Sequence, residues 1–350
     1  METRIITSDS DLAALASPWE ALERAVPSLR PQSRYGYVSA WAKQRGPHEL
    51  HVVVAEDHGE LVGVLPLMIA TRTAGPLRWR QLEFVTEGDH RDIIVDDRRV
   101  SASTTTKVLL TSALESAPDL RRVSLRYLPA DSPLTHHLFR SGPLNRSLRP
   151  LVEHPRVDLT AYRDFAAFRR TLPRSSLTAL NKMRRELGLT VAEVSPVPAD
   201  LYDECVALHR REKDVLVAQH GRRERRSLFE DVRRATVYRS LVVGNPQASA
   251  FTAHSQDGDL LFYELAWRRG RDVWAWNTAY EPDAGKHRPS RARIAMLEEL
   301  FARGDTDVYD LGAGRYPWKF ELTQHFSLSY EATWWIGDDP LARVLRRVRP

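Results

Sequence analysis

The sequence predicts an α/β (α+β) protein made of two similar units, each a mixed sheet flanked by helices. The chain has 350 residues, which is long for one hydrophobic core and comfortable for two domains. The same order of hairpin, strand, helix and strand is predicted in both halves. Hydrophobic residues make up 42% and charged residues 28% of the chain, which is typical of a globular protein. We therefore expect one unit over residues 1–150 and a second over residues 151–350.

The first unit opens with a predicted helix, DSDLAALASPWEALERAV. Two β-rich runs follow in HVVVAEDHGELVGVLPLMIA and meet at His58-Gly59, which is a hairpin signal. A strand RDIIVD, a helix TTTKVLLTSALESA and a strand RRVSLRYL complete the predicted order.

The second unit begins with two predicted helical regions, RDFAAFRRTLPRSSLTALNKMRRELGL and LYDECVALHRREKDVLVAQHGRRERRSLFEDVRR. The runs YRSLVVG and ASAFTAH are predicted as paired strands around Asn245-Pro246, and a hairpin is predicted to turn at Arg269-Gly270. A loop, EPDAGKHRP, then enters the helix SRARIAMLEELFARG, for which Ser290 is the expected N-cap and Gly304 the end. The strand TDVYDLG follows.

Composition indicates the cellular location and the kinds of partner to expect for this protein. No apolar run reaches the roughly 18 residues of a membrane span, and no secretory signal pattern opens the chain, so we expect a cytoplasmic protein without a membrane span. The single cysteine, Cys205, excludes an internal disulfide and is expected to be a buried helix residue. The net charge of +5 is consistent with a phosphate-rich partner, but also with arginine-rich composition alone.

Four pieces of the sequence resemble the CelD/BcsL-type acyltransferases of the GNAT superfamily: ELVGVLPL, EGDHRDIIV, the basic LNKMRREL and YDLGAGRYPWKFEL. In that family two GNAT-like units lie in tandem, a layout shared with the Fem-type peptidoglycan aminoacyltransferases. The resemblance implies an N-terminal GNAT-like domain that binds the acceptor and a C-terminal GNAT-like acyltransferase domain with a basic helical lead-in.

The resemblance also implies an acyl-CoA donor between two splayed strands, with its pyrophosphate where the next loop enters a helix. Helix starts suit anions because their N–H groups are unpaired and carry partial positive charge. Here that junction is GKHRPSRAR, residues 285–293, which lacks the spaced glycines usual in GNAT proteins. The expected donor-binding residues are Lys286, Arg288, Ser290 and Arg291, since charged side chains can replace backbone donors. A solvated loop is the alternative.

The catalytic candidates of the second unit are Asp310, Lys319, Glu264 and Tyr280. The resemblance points to Asp310 and to the pair Trp318-Lys319, with Trp318 expected to contact substrate. Asp310 would orient or deprotonate the acceptor and Lys319 would stabilise the developing oxyanion; an ion pair of Asp310 with Lys319 or Arg315 that fixes the turn is the alternative. Glu264 lies in an apolar strand and could act as a general base, face solvent or pair with an arginine. Tyr280 could protonate a leaving thiolate or simply pack.

In the first unit, the motif GDHRD places Asp89, His90 and Asp92 before a strand, where they could bind the acceptor or cap a turn. No companion ligand has metal-binding spacing, so no metal is expected. No nucleophile elbow, P-loop or dinucleotide motif occurs in the sequence, which favours direct attack by the acceptor.

Three functions are open at this point. The predicted one is acyl transfer from acyl-CoA to an amine or hydroxyl of a small-molecule, saccharide or peptide acceptor. The second is aminoacyl transfer from charged tRNA, which the basic central helix and the arginine-rich junction would suit. The third is a non-catalytic binding protein made of two degenerate units.

Overall fold

The structure is a computed structural model that describes residues 1–26, 29–221, 226–284 and 287–337. The chain forms two compact units. Unit 1 comprises residues 1–153 together with the chain from Ser327 onward, and unit 2 comprises His154–Phe326. The sequence predicts that the segment from Ser327 belongs to the second unit. In the structure this segment belongs to unit 1, because it adds a strand to the sheet of that unit.

Unit 1 is a sheet with helices on both faces. Its elements are β1 (Glu2–Ile6), α1 (Asp9–Ala14), α2 (Ala16–Ala25), α3 (Tyr35–Lys43), β2 (Glu49–Asp57), β3 (Glu60–Ala74), β4 (Leu77–Phe84), β5 (Ile94–Val95), α4 (Ala102–Glu115), β6 (Arg122–Pro129), α5 (Pro133–Arg140), α6 (Gly142–Asn145) and, at the end of the chain, β13 (Phe326–Trp335). The strand order is β1-β2-β3-β4-β6-β13, with β5 beside β3. β4 and β6 are parallel, and the other pairs are antiparallel.

The two faces of this sheet have separate apolar cores. On one face, Leu109 of α4 packs with Val123 and Leu125 of β6. On the other, Trp19 of α2 packs with Val52 of β2. Because side chains alternate along a strand, residues 122, 124 and 126 of β6 point away from the face that α4 covers.

Unit 2 repeats this order. The boundary strand β7 (Leu148–Asp158) leads into α7 (Phe165–Arg169), α8 (Arg174–Leu187), β8 (Thr190–Val194), α9 (Ala199–His220), α10 (Val232–Val242), β9 (Ala248–His254), β10 (Leu260–Arg269), β11 (Asp272–Tyr280), α11 (Ala292–Arg303), β12 (Val308–Asp310) and α12 (Pro317–Phe320). The strands lie in the order β8-β9-β10-β11-β12, and the end of β7 pairs with β12. In both units an antiparallel meander of four strands is followed by a helix and then by a strand parallel to the fourth strand, so the predicted α/β class and repeated order are confirmed.

The pairing between β11 and β12 is short. It covers only Asp272–Trp274 of β11 and Val308–Asp310 of β12. Beyond Trp274, β11 continues to Tyr280 alongside β10, with an irregularity in their register between Leu265 and Ala266. β12 therefore pairs with only the first three residues of β11, and β11 continues past the end of β12.

The predicted turns and helices are largely present. The hairpin at His58-Gly59 is confirmed: both residues have positive φ, 50° and 79°, as a tight two-residue turn requires. The β10–β11 hairpin is also confirmed, although it turns at Gly270-Arg271, one residue later than predicted. Gly304 ends α11 with φ 64°. No helix in the described part of the chain is long and apolar enough to cross a membrane.

Three local predictions are wrong. YRSLVVG is the end of α10, since Val237, Tyr238 and Leu241 are buried at helical spacing. The helical region before β8 is two helices, α7 and α8, because Pro173 interrupts it. RDIIVD contributes only β5, a two-residue strand.

Candidate active site

β12 ends at Asp310, a buried residue with 4% of its surface exposed. In the sheet register it lies between Arg156 of β7 and Trp274 of β11. Its carboxylate Oδ1 accepts a hydrogen bond from the amide N–H of Gly312 at 2.8 Å. Gly312 has φ 73°, a left-handed conformation that favours glycine. The chain therefore leaves the sheet immediately after β12, and the carboxylate is fixed at the strand end.

Lys319, in the short helix α12, contacts the same loop. Its side chain is buried, and Nζ donates to the carbonyl oxygens of Gly312 at 2.6 Å and of Ala313 at 2.8 Å. The ammonium also lies 5.4 Å from the ring centroid of Tyr316 and 5.6 Å from that of Trp318. These contacts make Lys319 a positioning residue for the loop that follows Asp310. Its predicted role at the oxyanion stays a prediction.

A buried histidine lies beside Asp310. His154 of β7 is fully buried, and one of its ring nitrogens lies within 4.8 Å of a carboxylate oxygen of Asp310. The approach follows from backbone pairing, because the amide of Leu311 donates to the carbonyl of Pro155 at 2.9 Å. An imidazole and a carboxylate are both side chains that exchange protons in acid–base catalysis.

Glu264 of β10 is buried, as the apolar strand around it suggested, but it is not isolated. Its Oε2 accepts hydrogen bonds from both Nε, at 2.8 Å, and Nη2 of Arg293 at the start of α11. Both side chains are almost completely buried, at 2% and 3% exposure. Of the predicted alternatives to a general base, a solvent-facing Glu264 is therefore wrong, whereas pairing with an arginine is confirmed.

Arg293 also determines what Trp318 contacts. Its guanidinium lies 3.9 Å from the centroid of the Trp318 ring and 5.1 Å from that of Phe262. Nη2 further donates to Oγ1 of Thr278 on β11 at 3.2 Å. One arginine thus links β10, β11, α11 and α12, and one face of Trp318 packs against it. Substrate binding by Trp318 stays a prediction.

Part of the positive charge of the arginine-rich junction before α11 is engaged in an ion pair within the protein. Arg291 contacts Glu321 through two nitrogens, at 2.7 and 3.3 Å. Arg288 is exposed, and Lys286 lies outside the described residues. Ser290 lies in a 3₁₀ turn, Pro289–Arg291, and α11 has no side-chain cap, so the predicted N-cap role of Ser290 is wrong.

Tyr280 closes β11 and is 37% exposed, so its phenol is accessible to solvent. Cys205 is buried in α9, as expected, and burial raises the pKa of its thiol. A thiol kept protonated is a poor nucleophile, which agrees with direct attack by an acceptor.

The acidic residues predicted for acceptor binding lie in unit 1 and differ in exposure. Asp89 is half-buried, whereas His90 and Asp92 are buried. Oδ1 of Asp92 accepts from the hydroxyl of Ser132 and, at 2.8 Å, from the amide of Ile93. Burial nevertheless raises the pKa of Asp92 to about 7. Asp92 also lines a cavity of about 250 Å³ in unit 1.

The comparisons with known proteins agree with this geometry. Residues 174–320, which include α8 to α12, match the model of the acetyltransferase (GNAT) domain. This part of the chain is therefore similar to a GNAT acetyltransferase domain. No curated protein sequence matches the chain.

Solved structures with a similar fold cover nearly the whole chain. FemX has 11% sequence identity and a TM-score of 0.64 over 100% of both chains. L-PGS from Bacillus licheniformis has 15% identity and a TM-score of 0.53, covering 93% of this chain and 95% of its own. A tandem GNAT protein from the clavulanic acid biosynthesis pathway has 14% identity and a TM-score of 0.51, covering 97% and 99%. Identities this low establish the fold only, so the CelD/BcsL type stays a prediction.

Sequence reasoning missed the groups that surround the predicted residues. His154, Arg293 and Glu321 each act through a partner far away in the chain. A signal existed for Arg293, which falls among apolar residues on the inward face of a predicted helix. Nothing in the sequence around His154 points to Asp310, because their proximity depends on the pairing of β7 with β12.

Proposed function

We propose that this protein transfers an acyl group from acyl-CoA to an amine or hydroxyl of a small-molecule, saccharide or peptide acceptor, and that unit 2 carries the reaction. The observation that carries the proposal is the buried Asp310 at the end of β12, beside His154 and next to β11, which continues past that strand end. Ligands of α/β proteins commonly bind at such strand ends.

In the proposed reaction the acceptor nitrogen or oxygen attacks the carbonyl carbon of the thioester. Asp310 orients the acceptor and takes its proton, with His154 close enough to share it. The tetrahedral intermediate then collapses, the carbon–sulfur bond breaks, and the CoA thiolate leaves and is protonated. Tyr280, exposed at the end of β11, is the proposed donor of that proton.

Lys319 and Glu264 have supporting roles in this proposal. Lys319 fixes the loop after Asp310 through two carbonyl groups, so that the carboxylate keeps one orientation. Glu264 holds Arg293, which in turn holds Trp318 beside α12. A catalytic group supported in this way loses little energy to reorganisation during the reaction.

Donor binding is proposed at the junction before α11, through Arg288 and Ser290 together with Lys286, which lies outside the described residues. Arg291 would contribute only by exchanging Glu321 for a phosphate, since its guanidinium is already engaged. This arrangement is less suited to a pyrophosphate than a loop with free backbone donors, because Pro289 has no N–H.

The missing N–H of Pro289 also favours a second candidate function, aminoacyl transfer from charged tRNA. α8 packs beside α11, and its basic residues Arg174 and Arg185 are exposed while Lys182 is half-buried. Together with the exposed Arg288 they form a surface that suits an extended phosphate backbone rather than a single pyrophosphate.

One pair of measurements separates the two donors. The melting temperature is measured with increasing acetyl-CoA, and binding to bulk tRNA is measured by gel shift at 50 and about 200 mM salt. Acyl-CoA use predicts a rise in melting temperature with acetyl-CoA, by mass action on the folded state. A tRNA donor predicts a gel shift that weakens steeply with salt and no response to acetyl-CoA. The absence of both responses would reject acyl transfer and favour the non-catalytic alternative.

A further inference from the structure

Unit 1 contains a second cavity, of about 250 Å³, whose lining is dominated by arginine. Four guanidinium groups and one carboxylate line it: Arg122, Arg126, Arg146, Arg149 and Glu331. The cavity uses none of the residues proposed for acyl transfer.

The sheet register explains why these groups converge. Arg126 of β6 lies opposite Glu331 of β13, and Arg122 lies opposite Trp335. All four positions are on the face that α4 does not cover, because their neighbours Val123 and Leu125 are in the core with that helix. One strand, β6, therefore supplies two arginines to this patch of sheet, and β13 supplies Glu331 beside them.

A third segment supplies the other two arginines. Arg146 and Arg149 lie on either side of the start of β7, and both are exposed. This segment is tied to the sheet because the amide of Thr333 donates to the carbonyl of Ser147 at 3.1 Å. The hydroxyls of Ser147 and Thr333 line the same cavity and add neutral hydrogen-bond donors.

Arginines outnumber carboxylates in the lining of this cavity by four to one. Nε of Arg126 donates to Oε2 of Glu331 at 3.1 Å, which is the one carboxylate in the lining. Arg122 lies 5.0 Å from the centroid of the Trp335 ring, a contact that orients the guanidinium. Crowded cations repel one another, and the repulsion is relieved when an anion binds among them.

We propose that this cavity binds the phosphate or diphosphate group of a soluble small molecule. Guanidinium groups bind phosphate oxygens through paired N–H donors, and hydroxyls complete such a site. The arginines come from two segments, β6 and the start of β7, and converge on one small cavity. An extended nucleic-acid backbone would instead favour a stripe of basic residues along the surface.

The test uses the intact chain with sodium diphosphate as the probe and chloride adjusted to constant ionic strength, so that screening does not change. Binding is measured by calorimetry for the wild type, for the double variant Arg146→Gln/Arg149→Gln, and for a matched control, Arg78→Gln/Arg140→Gln. The control removes the same charge from two exposed positions of unit 1 outside the cavity.

The proposal expects the cavity variant to bind diphosphate at least tenfold more weakly than the wild type, and the control to bind within about twofold of it. Equal binding by the two double variants would overturn the site, as would no binding by the wild type. Binding of tRNA without binding of diphosphate would also overturn it, because the arginines would then belong to a nucleic-acid surface. The melting temperatures of both variants establish that they are folded.

Discussion

Asp310 and Lys319 act on one residue: the Asp310 carboxylate accepts from the amide of Gly312, and the Lys319 ammonium donates to the Gly312 carbonyl. The sequence places the two side chains nine positions apart on either side of two glycines. The structure shows that they shape the same turn. The turn is therefore held from the end of β12 by the Asp310 carboxylate and from α12 by the buried ammonium of Lys319.

Replacing Asp310 by Asn should lower turnover by about 10² or more, a loss typical of removing an acid–base group. The melting temperature should change little, since the Asn amide oxygen can still accept from Gly312. Turnover and thermal unfolding are measured on the same preparation, using the donor that binds. Asp307→Asn is the matched control, because Asp307 lies just before β12 and pairs with Arg271 on the surface. Normal turnover of a well-folded Asp310→Asn protein would remove Asp310 from the mechanism.

Replacing Lys319 by Met should destabilise the protein and also reduce turnover. The change leaves the carbonyls of Gly312 and Ala313 without this donor, and an unsatisfied buried polar group costs about 1–3 kcal/mol. Chemical denaturation gives the free energy of unfolding. Lys107→Met, at an exposed position of α4, should change it by no more than about 0.5 kcal/mol. A Lys319→Met protein as stable as the control would show that the ammonium does not hold the loop.

Replacing Arg293 by Met should cost about 3–5 kcal/mol of stability, because Glu264 would be left as an uncompensated buried charge. The double variant Glu264→Leu/Arg293→Met should recover much of this loss, since it removes both charges. The measurement is a double-mutant cycle in denaturant. Arg184→Met breaks the exposed pair with Glu298 and should cost about 1 kcal/mol or less. If Arg293→Met and Arg184→Met lowered the free energy of unfolding by similar amounts, burial would not strengthen the Arg293–Glu264 pair.

The stability of unit 1 should depend on pH through Asp92. Burial raises the pKa of this carboxyl from 3.8 to about 7 in the folded chain. The folded state therefore binds the proton more tightly, and the stabilisation present below about pH 4 is lost as pH rises through about 7. A shift of this size corresponds to up to about 4 kcal/mol. Asp92→Asn cannot ionise, so it should gain stability relative to the wild type between pH 5 and 8.

The comparison is made by denaturation at pH 5 and pH 8, with Asp97→Asn as the control at an exposed position of the same unit. We expect the difference between Asp92→Asn and the wild type to grow by at least 1 kcal/mol across this interval. A difference that does not change with pH would mean that Asp92 ionises in the folded protein as it does in the unfolded chain.

Several residues of the candidate site could be predicted from the sequence, and there is a physical reason why the others could not. Asp310 and Lys319 follow from the resemblance and Glu264 from the apolar strand around it, and the structure buries all three side chains. Their catalytic roles stay predictions. The side chains that contact these residues could not be predicted from the sequence in the same way. Arg291 was expected to meet a phosphate and contacts Glu321 instead.

The sequence by itself determined the local elements of this protein: the hairpin at His58-Gly59, the helix ended by Gly304 and the repeated order of strands and helix. These depend on side-chain periodicity and on glycine at positions with positive φ, which act within a few residues. Only the tertiary structure decided that the last strand belongs to unit 1, that His154 lies beside Asp310, and that four arginines line one cavity. Those relationships depend on strand pairing between distant segments, where backbone hydrogen bonds leave no local pattern in the sequence.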